Sequence, residues 1–179
     1  MASILNVDQI NNAAGTSAIS IDSSGNVAIP GHVVQVVSAD MTSQVAITSA
    51  YPTFTTIITG SITPKFSGSK FIINAVLPSY SNNPNANNWT NSIYIRLYEQ
   101  EGGGSDLSIA GYEHPGPETE TQFSQVTPVL FTTGAKSTIQ SYTYRIKGAP
   151  TVGGDTHYFG RSTGGMDAFS RMVIMEIAQ

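Results

Sequence analysis

Few residues in this chain have types and spacings that could do chemistry. Its histidines, His32, His114 and His157, stand far apart in the sequence, and no HExxH or other zinc-ligand spacing joins them. Asp155-x-His157 could pair in space with a serine to make a nucleophilic triad. The chain has 21 serines, so that coincidence means little, and a hydrogen-bonded loop histidine is the plainer reading. Glu99, Glu101 and Asp106 flank a strand–loop boundary, where two carboxylates could serve glycoside hydrolysis; a solvated acidic loop is the plainer alternative. Trp89, the one tryptophan, sits in an Asn-rich stretch rather than on an apolar strand. Its indole could stack on a sugar while the amides of Asn85, Asn87, Asn88 and Asn91 bond hydroxyls, or it could fold back on the core or fill a subunit interface. Asn88-Trp89-Thr90 also matches a glycosylation acceptor. No metal site or cofactor motif emerges: "GGDTHYFGRSTGG" (153–165) is glycine-rich but lacks the Lys and the strand–loop–helix context of a phosphate cradle, and reads as a flexible loop.

Composition narrows the function classes further. Lys and Arg total 8 against 12 Asp and Glu, a net charge of −4, and charged residues are 11% of the chain. Without a Lys/Arg cluster the chain lacks the electrostatic footprint for nucleic acid. With no cysteine, stability must come from packing or subunit association. No run of about 18 apolar residues is present for membrane insertion, and "MASILNVDQINN" lacks the basic and apolar regions of a signal peptide. The expectation is a binding or structural protein rather than an enzyme.

The elements that would position these residues are strands. In "SIYIRLYE" (92–99), Ile93, Ile95 and Leu97 share one face while Tyr94, Arg96 and Tyr98 share the other. "FTTIITGSIT" (54–63) places Phe54, Ile58 and Ile62 on one face. Further strands are expected at "HVVQVVS" (32–38), "KFIINAVLPSY" (70–80), "QVTPVLFTT" (125–133), "TIQSYTYRIKG" (138–148) and "SRMVIMEIA" (170–178). No window holds the i, i+3, i+4, i+7 spacing of an amphipathic helix. "FSGSK" (66–70) reads as the tight turn of an antiparallel hairpin, and "SNNPNANNWTN" (81–91) and "EGGGSD" (101–106) as longer loops. Together these predict an all-β chain, a jelly-roll-like antiparallel β-sandwich over residues 31–179.

Pro30-Gly31 marks the one boundary. The extended N-terminal leader before it, residues 1–30, has scattered small apolar residues. "ISIDSSGNVAIPG" (19–31) has the shape of a β-hairpin but too little apolar surface to hold one together alone. Such a segment needs a partner.

The order of segments from "GHVVQVVSAD" through "SITPKFSGSK" and "FIINAVL" (31–77), closed by "SRMVIMEIA", resembles the body of small tailed-bacteriophage fibre proteins. "LNVDQINNAAGTSAISIDSSGNVAIPG" resembles the leader before such bodies, common in phages of marine bacteria. The resemblance implies a virion structural protein: a short homotrimeric fibre, located in the virion, whose leader binds other virion proteins and whose body faces the host. Host attachment would involve a surface glycan, contacted from 81–91 and 101–106. A capsid decoration protein and a free-standing carbohydrate-binding module are the alternatives.

Overall fold

The computed structural model describes residues 7–82, 92–114, 122–160 and 170–179. Gln9–Asn11 (β1), Ser17–Ile21 (β2) and Val27–Ala28 (β3) form a small antiparallel sheet in that order. Local polar chemistry holds it together. The Asn12 side chain accepts hydrogen bonds from the amides of Ala14 and Thr16, each at 3.0 Å. The Asp22 carboxylate accepts from the amides of Ser24 and Asn26 and from the Asn26 side chain at 2.8–2.9 Å. These are Asx turns, which shape a hairpin without an apolar core. The hydrogen bonds from Asn26 hold the Asp22 carboxyl below its usual range. Among the described residues, nothing before Val37 belongs to the hydrophobic core or packs against it.

The body contains Val33–Asp40 (β4), Val45–Ile47 (β5), Thr55–Ile62 (β6), Lys70–Asn82 (β7), Ile93–Glu101 (β8), Leu107–His114 (β9), Gln122–Thr132 (β10), Tyr142–Pro150 (β11), Thr156–Phe159 (β12) and Arg171–Ile177 (β13). In the larger sheet β4 pairs β13, β13 pairs the first half of β7, and β12 pairs the second half and carries β5. The far edge of β7 is paired along its length by β10. The smaller sheet runs β6-β11-β8-β9. The eight long strands thus fall as β4-β13-β7-β10 facing β6-β11-β8-β9, all antiparallel, which is a jelly-roll sandwich as expected.

Alternation fills the space between the sheets. Ile93, Ile95 and Leu97 from β8, Tyr142, Tyr144 and Ile146 from β11, and Phe71, Ile73 and Leu77 from β7 are all buried. Each fully buried aliphatic side chain contributes about 2 kcal/mol by leaving water. At Gly148 the core is packed so closely that a Cβ would lie 3.0–3.1 Å from the Cδ1 atoms of Ile57 and Ile93 in its own sheet and of Ile47 in the other.

Three expectations are corrected. "FSGSK" does not turn a hairpin, because β6 and β7 lie in different sheets and residues 63–69 cross between them. The crossing is organised by Glu176, fully buried at the inner end of β13. Its carboxylate accepts hydrogen bonds from the amides of Lys65 and Phe66 at 2.9–3.2 Å and from the Ser69 hydroxyl at 2.7 Å. The Gln35 side chain donates to the same carboxylate at 2.5 Å. Phe54 does not share a face with Ile58 and Ile62, because the β6/β11 register shifts between Ile146 and Lys147. One extra residue there turns everything before it to the opposite face. The "flexible loop" at 153–165 contains a strand, β12, which pairs both β7 and β5.

The register also gives the sandwich two distinct ends. Gly31 donates to the Ala178 carbonyl at 2.8 Å, and Ala178 to the His32 carbonyl at 3.0 Å. The leader therefore joins the body where β13 ends and β7 begins. Asn82, Ile93, His114 and Gln122, the strand ends that flank residues 83–91 and 115–121, are all at the other end.

Candidate functional site

Asn85, Asn87, Asn88, Trp89 and Asn91, the residues expected to contact a receptor, lie outside the described residues. The three carboxylates near residue 100 are described, and none is simply solvated. Glu99 accepts two bonds from the Lys136 ammonium at 2.5 and 2.7 Å and one from the Tyr144 hydroxyl at 2.8 Å. Burial, with the neighbouring Glu99 charge, pushes the Tyr144 phenol far above its usual range. Glu101 accepts from the Thr138 and Tyr142 hydroxyls, Thr138 first among the causes that hold its carboxyl below the usual range. Asp106 is on the opposite face of the sheet and bridges Lys147 and Arg145, with the Lys147 hydrogen bond contributing most to lowering its pKa. The acidic loop is therefore an ion-paired seam. Glu99 and Asp106 do not face one another across a cleft.

Of the Asp155-x-His157 pair, His157 comes opposite a serine. In the β12/β7 register His157 stands directly opposite Ser81, with Asp155 two residues earlier, and the three are 0%, 1% and 2% exposed. The serine hydroxyl has almost no exposed surface from which to attack a substrate. Burial pushes the Asp155 carboxyl up to about 6.

More accessible chemistry is on the two outer sheet faces. On the smaller sheet the outward residues of β8 are Tyr94, Arg96, Tyr98 and Gln100, set between β9 and the Arg145 and Lys147 of β11. Lys147 and Arg145 share Asp106, and Lys147 also lies 4.4 Å from the Tyr98 ring centroid. Arg96 is held differently. Its guanidinium lies 4.9 Å from the Phe54 centroid and 5.9 Å from that of Tyr51. Among the described residues it has no carboxylate within 4 Å. Tyr51 packs against Phe54 and Tyr94 at 6.1 and 5.1 Å. Beside Arg96 opens a cleft of about 390 Å3, lined by Tyr94, Ser108 and the rest of β9 to Glu113.

The outer face of the larger sheet is largely apolar. Val33 and Val36 of β4, Val76 of β7, and Val126 and Leu130 of β10 are 46–69% exposed. Between them lie the partly buried Ile72, Val173, Met175 and Ile177, with the exposed polar Asn74 and Ser38 on either side of Val173. Charge is confined to Lys70 at one margin and an exposed Arg171–Asp40 pair, 2.6 Å apart, at the other.

Neither surface was read from the sequence as a site. The signal for the apolar face was present in "KFIINAVLPSY" and "SRMVIMEIA", which put apolar residues at both parities where a half-solvated strand would alternate. The signal for Arg96 was its place between outward tyrosines in "YIRLY".

No protein-family model matches this sequence, nor does any curated protein. Among solved structures the chain is similar to an Eiger TNF from S. frugiperda, at 10% identity and a TM-score of 0.41, over 80% of this chain and 94% of that one. It is also similar to a structure of infectious bursal disease virus, Gx strain, at 10% identity and a TM-score of 0.39, over 98% of this chain but only 42% of that one.

Proposed function

We propose that this chain is a virion structural protein, a short trimeric fibre that takes part in host attachment. The observation that carries the reading is the two-ended construction. A leader sheet outside the core joins the sandwich at one end, and the strand ends flanking 83–91 and 115–121 lie at the other. That arrangement suits a protein fastened by residues 1–30 and presenting its far end outward. The segment order of known phage fibres supports the same reading.

The trimer draws support from the apolar face. Four strands about 4.8 Å apart, over the seven residues of β13 at about 3.3 Å each, give a footprint on the order of 400 Å2. Patches of that size on a monomer are often interaction sites. The footprint is only about half of one partner's share of a standard interface. In a closed ring every copy touches two neighbours through different patches, so surfaces beyond this face would have to supply the remainder.

Antibody-gold labelling of purified particles, viewed by electron microscopy, tests the reading. Label on fibres, lost when residues 1–30 are deleted while the body still folds, is the expected result. Truncated protein found in particles at the normal level would overturn it.

A further inference from the structure

We infer that the Arg96 cleft binds a carboxylated pyranose, a uronic-acid-type sugar. This deepens the proposed function by naming the ligand class and moving the contact from the Asn-rich stretch to the outer face of the smaller sheet.

The other arginines among the described residues are occupied. Arg145 is bonded to Asp106 and Gln100, and Arg171 to Asp40. Arg96 is held instead by aromatic rings, with its guanidinium 4.9 Å from the Phe54 centroid and 5.9 Å from that of Tyr51, and no carboxylate among the described residues takes up its N–H donors. The neighbouring backbone is shaped to the same end. Arg96 stands opposite Gly111 in the β8/β9 register, and a Cβ at Gly111 would lie 2.7 Å from Arg96 Cγ. Glycine there leaves room for the arginine stem beside β9, at the cleft.

The cation also has a like-charged neighbour. Lys147 is directly opposite Arg96 on β11, an arrangement that normally costs stability. Lys147 is engaged by Asp106, which it shares with Arg145, whereas Arg96 has no carboxylate within 4 Å among the described residues. Planar bidentate donation suits a carboxylate. Tyr94, on the cleft's lining, offers a flat apolar surface on which a pyranose ring can stack, and the half-exposed Tyr51 packs against it from outside that lining. Ser108 and Glu113 on the far wall can bond hydroxyls. Among the described residues that line the cleft, Arg96 is the cation and Glu113 stands on the same lining, which makes it a poor site for a phosphate or a polyanion but sufficient for one carboxylate. The cleft also lies toward the end opposite the leader, where Ile93 pairs His114.

The test uses the intact chain with trigalacturonate, its fully methyl-esterified form and acetate, followed by calorimetry and saturation-transfer NMR. Trigalacturonate should bind weakly, with the methyl ester and acetate each weaker by about tenfold or more, the range of a charge-assisted hydrogen bond. Arg96→Gln should lose binding by a similar factor with the thermal midpoint unchanged, and Arg96→Lys should retain part of it. Gly111→Val, which displaces the arginine without removing its charge, should also lose binding. Equal binding by the ester or by acetate, unchanged binding by Arg96→Gln, or no binding by the unaltered chain would each overturn the inference. Gold labelling separates the two readings. Labelled particles without sugar binding leave the virion role standing alone, and sugar binding without labelled particles leaves the cleft standing alone.

Discussion

The outward positions of β8 read Tyr94, Arg96, Tyr98 and Gln100; those of β13 read Arg171, Val173, Met175 and Ile177. Both strands are central in their sheets and both send their other side into the same core. The difference lies in what each sheet expects to meet. The smaller sheet spreads polar and aromatic groups that water can wet, with its charges paired along Asp106, Arg145 and Lys147. The larger sheet has apolar groups on both sides, which is the pattern of a sheet covered on both faces. One sandwich thus presents a polar, aromatic face and a more apolar one, to which the proposals above give a small ligand and a protein neighbour respectively, and Glu176, which organises the crossing between the sheets, belongs to neither.

The most disruptive way to break this contrast is to charge the apolar face. If the proposed trimer forms through this face, Val36→Lys combined with Leu130→Lys should convert it to monomers in light scattering, weakening association by roughly a hundredfold or more as two apolar contacts, one on each outer strand of the face, are replaced by desolvated charge. Both residues are more than half exposed in a single chain, so the sandwich should still fold. Lys147→Ala on the other sheet should leave the mass unchanged. If both sets dissociate the assembly, the division of labour between the faces is wrong.

Second in size is Glu176→Ala, which leaves the amides of Lys65 and Phe66 and the Ser69 hydroxyl without their acceptor. Denaturant unfolding should show a loss of about 3 kcal/mol, since each buried donor left unpaired costs about 1–3 kcal/mol before relaxation. A loss below 1 kcal/mol would mean that the crossing between the sheets does not depend on this carboxylate.

Asp155 predicts a pH effect independent of both faces. Its folded pKa, pushed up to about 6 by burial, lies above the ordinary value of 3.8. The folded state therefore holds this proton more tightly than the unfolded chain, and stability declines as pH rises from about 4 to 6. Asp155→Asn should remove that decline and raise stability near pH 7 by up to about 2 kcal/mol. A melting curve whose pH dependence is the same in both proteins would exclude the assignment.

The smallest effect is expected at Asp106→Asn, where two part-exposed ion pairs are lost. The change should be within about 1 kcal/mol and should shrink further in high salt. A larger, salt-insensitive loss would mean that the polar face is as structural as the apolar one.

Much of this was legible in the sequence, and the failures have identifiable causes. The alternation in "SIYIRLYE" gave both faces of β8 correctly because that strand pairs β11 without a shift. The same rule misplaced Phe54 because the bulge in β6 reverses parity, and parity is all that a period-2 argument has. "FSGSK" has the composition of a hairpin turn, but its partner is a glutamate more than a hundred residues away, which no local pattern reveals. β9 and β12 went unread because "LSIAGYEH" and "THYF" owe their strand state to neighbours rather than to propensity. The cleft was invisible for a related reason: Phe54, Arg96 and Gly111 meet only once three strands are aligned.

The position of β13 has a further consequence, in time rather than in space. It lies between β4 and β7, and its Arg171 bonds Asp40 across 131 residues of chain. The larger sheet cannot close until those distant segments meet, and pairings of such long range fold in milliseconds to seconds rather than microseconds. Throughout that interval β4 and β7 each offer an open edge flanked by apolar side chains. At high concentration the β13 of a second copy competes for the same slot, so refolding yield should fall with protein concentration, and exchanged dimers should accumulate before aggregates do.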